Sequence, residues 1–161
     1  MKAKINKTNA ARMLDKAKVA YQLIPYEVDE NDLSATHVAE SLGEDIAQVF
    51  KTLVLLGDKT GHLVCVVPGD HEIDLKKAAR VSGNKRCEMI AVKELFPLTG
   101  YIRGGCSPLG MKKKFPTFIH ETLELFDKVY VSAGIRGLQI EIAPKDLIRA
   151  CEAKVSDLTA P

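Results

Sequence analysis

Residues 99–110, TGYIRGGCSPLG, hold four glycines, a tyrosine, an arginine, a cysteine and a Ser-Pro pair. Glycine loses more conformational freedom on folding than any other residue, so such a cluster needs a reason. The positions Gly100, Gly104, Gly105 and Gly110 fit neither GxxxxGK[ST] nor GxGxxG after a strand. The loop either presents backbone N–H groups to an anion or a carbonyl oxygen, or it only turns a corner. Cys106 reads as a nucleophile, activated by Arg103 three residues away, or as a buried small hydrophobe, and the second reading is favoured. Lys51 is the odd residue in VFKTLVLL. An inward ammonium there would be costly, and on local sequence alone a side chain at the start of a strand points to water.

Other chemistry is poorly supported. His62, His71 and His120 are present, with Asp70, Glu72 and Asp74 around His71. HExxH, a histidine pair at helical spacing and a cysteine pair are all missing, so no metal and no cofactor is expected. PGDHEID reads as a polar loop leading into a capped helix. There is no GxSxG elbow, and although Ser107 and Ser132 lie near glycines, no histidine is marked out as their base. Lys76–Lys77, Lys85–Arg86 and the three lysines at 112–114 read as solvated faces that, brought together, could contact a nucleic-acid backbone.

The elements that must position these residues follow from period and punctuation. Thr8 can cap a first helix with Ala10, Met13, Leu14 and Ala17 on one face. YQLIPYEV puts Ile24, Tyr26 and Val28 on one side of an extended segment, which Pro25 demotes to an edge. Ser34 and Gly43 bracket a second helix. KTLVLLGDKTGHLVCVVPG reads as two strands around a turn. Asp74 caps LKKAARVSG, KRCEMI is a short strand, and AVKELF is a short helix ending before Pro97. FPTFIH, KVYVSAG and GLQIEIA are strands, and Pro144 opens a last helix. The pattern is not regular βαβ alternation but a mixed α/β domain around one curved, largely antiparallel sheet.

The chain has 161 residues, 46% hydrophobic and 27% charged, with a formal net charge of +2. That is one ordinary domain, 1–161, without the basic bias of a dedicated DNA-binding module. Four scattered cysteines argue for free thiols. The longest apolar run, Leu53 to Leu56, is too short for a membrane, and the basic N-terminus lacks the core of a signal peptide, which argues for the cytoplasm.

FKTLVL at 50–55, LKKAA at 75–79, TGYIRGGCSPLG at 99–110, VYVSAGIRGLQIEI at 129–142 and APKDL at 143–147 occur in that order. The combination is more specific than any part. It resembles the bacterial Cys-tRNA(Pro)/Cys-tRNA(Cys) deacylases of the YbaK/EbsC type, free-standing relatives of the prolyl-tRNA synthetase editing domain. The resemblance covers nearly the whole chain. It implies a mixed α/β fold with a strongly bent, barrel-like, mainly antiparallel sheet wrapped by helices. It implies hydrolysis of the ester that joins a wrong amino acid to the terminal adenosine of a tRNA. The implied partners are the acceptor end of an aminoacyl-tRNA and prolyl-tRNA synthetase in a ternary complex, with no DNA and no membrane.

The same resemblance assigns roles. Lys51 in FKT is the signature lysine, with Thr52 beside it. The backbone of Gly104 and Gly105 and the hydroxyl of Ser132 complete the reacting site. Tyr26, Tyr101, Arg103, Gly134 and Asp146 are implied on the substrate side. In similar proteins the substrate's own cysteine thiol attacks the ester carbonyl, which would explain why no protein nucleophile is evident. Arg103 and Cys106 occupy positions that are often apolar in similar proteins. Two other readings stay open: a deacylase of another mischarged tRNA, such as Ala-tRNA(Pro), and a non-catalytic module that holds tRNA ends or a synthetase.

Overall fold

Capping side chains start most of the helices where the sequence places them. The computed structural model describes residues 7–161. Helix α1 (Asn9–Lys16) begins where the Thr8 hydroxyl accepts the Ala11 N–H. It buries Ala10, Ala11 and Leu14, while Met13 and Ala17 of the expected stripe are exposed. The glycine loop packs on the first turn of the helix: a Cβ on Gly110 would come within 2.9 Å of Ala10 N.

Strand β1 (Tyr21–Pro25) is an edge strand, as a residue without an N–H requires. Helix α2 (Ala35–Leu42) runs from the Ser34 cap to a left-handed Gly43. A 3-10 turn (Ile46–Gln48) feeds β2 (Phe50–Gly57), which returns as β3 (Gly61–Pro68). Helix α3 (Leu75–Ser82) starts at Asp74, whose carboxylate accepts the Lys76 and Lys77 N–H groups. After β4 (Cys87–Met89), helix α4 (Val92–Thr99) runs through Pro97 instead of stopping before it. Proline there deprives one carbonyl of a donor. The face is exposed, so water can replace it, and the Thr99 hydroxyl ties the last turn to the Leu95 carbonyl at 2.7 Å. Strand β5 (Thr117–His120), a 3-10 turn (Glu121–Leu125), β6 (Val129–Ser132), β7 (Leu138–Ile142), α5 (Pro144–Cys151) and β8 (Lys154–Ser156) follow. β8 escaped the sequence reading because three residues are too few to show a period of two.

The fold is the expected mixed α/β type with mainly antiparallel pairing, but the sheet is divided. One sheet has the order β1-β7-β6, all antiparallel; the other has the order β4-β2-β3-β5-β8. In the second sheet, β2 pairs antiparallel with β3 and β4, whereas β3–β5 and β5–β8 are parallel. The sheets meet at the start of β2, where Val49 bridges to Tyr130. Phe50 and Val54 face the main core with Leu14, Ile140 and Leu147; Leu53 and Leu55 face a second core under α3. Among the described residues no helix is long and apolar enough to cross a membrane.

Candidate active site

The junction of the two sheets leaves a cleft of about 350 Å³. Its walls come from the first turn of α2, the start of β2, Gly69 after β3, the loop at Arg103–Cys106, and the pair Ser132 and Gln139. Ser132 and Gln139 stand opposite each other in the β6–β7 ladder, so their side chains share a face. Gly69 is required here: a Cβ would lie 2.1 Å from that of Ala35, so any side chain would force α2 away from β3. Gly104 adopts a left-handed φ of +84°, and its loop is pinned by the Arg136 Nε–H donating to the Arg103 carbonyl at 2.9 Å.

Lys51 is half-buried in this cleft. Burial holds its pKa below the usual lysine value, and the carboxylates of Asp70 and Glu72 partly oppose that shift. PGDHEID is thus a polar loop, as expected, and also the source of the negative field at Lys51. Among the described residues no Asp, Glu or His lines the cleft. The one thiol there, Cys106, is pushed up to about 12 by burial and stays protonated at neutral pH. Thr52 Oγ1 and Gln139 Oε1 are buried with no hydrogen-bond partner among the described residues. Buried polar atoms are normally paired, so a ligand donor fits both.

Of the residues singled out in the sequence, the structure brings Lys51, Thr52, Arg103, Gly104 and Ser132 together around this cleft. The Gly105 N–H donates to the Ile102 carbonyl at 2.9 Å, so that amide is committed to the loop's own turn. The Gly104 N–H has no protein acceptor among the described residues. Tyr101 lies behind the wall: its hydroxyl donates to the Leu109 carbonyl at 2.6 Å, and its ring packs under Gly134. Burial pushes that phenol up to about 12, with a smaller contribution from Cys106. The Ser132 hydroxyl accepts the Gly134 N–H at 3.1 Å. Tyr26 lines a small adjoining crevice with His37 and Gly104. Asp146 is on α5, paired with Arg149 at 3.2 Å, and does not line the cleft. Sequence reasoning missed Gln139 and Gly69. Gln139 sits in the alternating run LQIEI, where every second residue reads as solvent-facing; here that face is walled by the start of β2, the first turn of α2 and the loop at 103–106.

A second lobe of about 190 Å³ continues from the first, sharing Thr52, Leu53, Arg103, Gly104 and Cys106. Its remaining walls are apolar, from the end of β4 and the outer face of α4. A separate cavity of about 570 Å³ lies at the other end of β2 between Lys76, Lys85 and Arg86. It gathers two of the basic runs, while Lys113 and Lys114 border a different cavity. Among the described residues no group of His, Cys, Asp and Glu is placed to hold a metal ion.

Comparison with known proteins bears on this cleft. The family model of the aminoacyl-tRNA editing domain matches residues 29–150. EbsC of Enterococcus faecalis, named as a Cys-tRNA(Pro)/Cys-tRNA(Cys) deacylase, is 50% identical over 153 residues, 95% of this chain and 93% of that protein. A crystal structure assigned as a trans-editing enzyme for prolyl tRNA synthetase superposes with a TM-score of 0.82 at 25% identity, covering 95% of this chain and 96% of that one. Hypothetical protein APE2540 shares the fold, with a TM-score of 0.86 at 22% identity over 95% of this chain and all of its own.

Proposed function

Since the chain belongs to the aminoacyl-tRNA editing domain family and is an aminoacyl-tRNA deacylase, we propose that it clears cysteine from Cys-tRNA(Pro), using the substrate's own thiol as the nucleophile. The observation that carries this reading is a cleft with a half-buried lysine and, among the described residues, no carboxylate or imidazole base and no ionised thiol in its lining. An aminoacyl ester is already activated. An enzyme acting on it needs positioning and a site for the developing oxyanion more than a triad.

In this mechanism the substrate thiolate forms a C–S bond to its own ester carbonyl. The C–O bond to the ribose breaks, and the ribose oxygen takes up a proton. The product is a cyclic thioester, which water opens to free cysteine. The Lys51 ammonium and the Gly104 N–H face the oxyanion through charge-assisted bonds. Thr52 Oγ1 and Gln139 Oε1 accept from the substrate's α-ammonium. Ser132 borders the reacting ester, and Arg103 at the rim meets a phosphate. Tyr101, Gly105 and Gly134 hold the loop and wall in place. Tyr26 borders the entrance. A cleft of this size reads little of a tRNA, so prolyl-tRNA synthetase in a ternary complex supplies the tRNA identity.

The test is to incubate the protein with tRNA(Pro) charged with Cys, Ser, Ala or Pro and follow the surviving ester. Cys-tRNA should be lost far faster than Ser-tRNA. The two side chains are nearly isosteric, and an apolar pocket separates such pairs by only about 1–3 kcal/mol. The rate should rise with pH until the substrate thiol, near pKa 8.5, is ionised. Equal rates on Cys and Ser with no rise would show that water attacks, and preferential loss of Ala would move the substrate class. Survival of every ester would leave a non-catalytic module.

A further inference from the structure

The second lobe of the cleft carries an unusual surface. Of the large hydrophobic side chains that stay exposed, Met89, Val92, Phe96 and Ile102 gather in one neighbourhood. Met89 and Val92 line the lobe, Phe96 follows Val92 one turn along α4, and Ile102 adjoins Arg103 at the rim. Phe96 is 55% exposed and Val92 63%. Grouped exposed apolar residues of this kind mark interaction sites. The cluster is not purely apolar: Lys112 Nζ sits 5.1 Å from the centre of the Phe96 ring. The Glu94 carboxylate on the same helix accepts the Ala91 N–H at 2.8 Å, which turns it back toward the start of α4.

We propose that this surface is the platform for the unpaired 3′ nucleotides of the tRNA, with a base stacked on Phe96 and the adjoining phosphate held by Lys112 and Arg103. The proposal rests on the deacylase reading of the neighbouring lobe. If the aminoacyl group lies beside Lys51, the nucleotide esterified to it must leave the cleft over an adjoining wall. The second lobe opens from the first through Thr52, Arg103, Gly104 and Cys106. An exposed ring, apolar walls and cations at the edge are what single-stranded RNA requires, because every base has a face to stack and every linkage a charge. A protein partner would have less use for a lysine on the one aromatic ring of the patch.

The experiment uses the intact protein and an uncharged RNA oligonucleotide ending in CCA, with 2-aminopurine as the last base. Binding is read from quenching of its fluorescence, so no hydrolysis is involved. Wild-type protein should quench the probe. Phe96→Ala should weaken binding about tenfold, the usual scale for one base–aromatic stack. Phe96→Tyr should restore it, and Lys112→Gln should flatten the salt dependence of binding. In parallel, hydrolysis of cysteine ethyl ester should be unaffected by Phe96→Ala, while KM for Cys-tRNA rises. Equal quenching by wild type and Phe96→Ala overturns the platform, even if deacylation is confirmed. Loss of synthetase binding with unchanged RNA binding would make the patch a protein surface and also overturn it. A wild type that quenches through Phe96 but hydrolyses no ester would sink the deacylase reading and leave the platform standing.

Discussion

Replacing Lys51 by methionine keeps most of the aliphatic stem and removes the charge, which separates two contributions of opposite sign. Burial holds the Lys51 pKa below 10.5 even after Asp70 and Glu72 pull it back, so the folded protein disfavours this cation. With the folded pKa below the unfolded one, the unfolded chain binds more protons between the two values. Stability therefore rises with pH through that window, and the cost of the charge is fully present at pH 7. The side chain is only half-buried, so water screens most of that cost and its removal gains less than about 1 kcal/mol. For a chain of this size that is a rise of no more than about 2–4 °C in Tm. The loss in rate should be larger. A charge-assisted bond to the oxyanion contributes about 1.5–3 kcal/mol, which is about tenfold to 150-fold in the deacylation step. The assay pairs a single-turnover deacylation rate with a thermal melt on one preparation. A folded Lys51→Met protein that deacylates at the wild-type rate refutes the site. One that melts several degrees lower refutes the electrostatic reasoning, whether or not it is active.

Three further outcomes follow from named contacts. Cys106→Ala should keep at least about a third of the deacylation rate, because a thiol held near 12 is not ionised at neutral pH; complete loss in a folded protein would make this enzyme a thiol hydrolase. Gly134→Ala should lower the urea midpoint by the equivalent of about 1–3 kcal/mol, since Gly134 has φ +107° and its Cβ would stand 2.8 Å from Tyr101 Cε1; an unchanged midpoint would show that the wall yields. Acid should destabilise the C-terminal segment through His120, which is 4% exposed and whose Nδ1 accepts the Leu158 N–H at 3.0 Å. Burial depresses its pKa below 6.5, so its contribution is complete above pH 6.5 and is lost as pH falls toward the folded value. Urea midpoints at pH 7 and pH 5 should differ less in His120→Gln than in wild type, and equal differences would place the acid sensitivity elsewhere.

Local chemistry was legible in the chain because it depends on neighbours a few residues apart. Thr8, Ser34 and Asp74 cap helices where they stand, Gly43 and Gly83 end them, and the eight-residue strands β2 and β3 show their pairing in their own pattern. The ordered motifs carried the family likeness, since they record residue types at a shared site without needing its geometry. Tertiary packing decided the rest. Whether Lys51 points to water or into a cleft depends on the meeting of two sheets, which joins Val49 to Tyr130 across 80 residues of chain. Gln139 is polar by type and buried where β2, α2 and the glycine loop converge, a fact its alternating strand conceals. Gly104 and Gly105 are adjacent and alike in sequence, yet among the described residues one amide has no protein acceptor and the other closes a turn with Ile102. The path of α4 through Pro97 was settled by an exposed face, and the covering of the first turn of α1 at Asn9 and Ala10 by a glycine loop arriving from residue 110. In each case a distant part of the chain sets the environment of the residue, and no window of sequence around it contains that part.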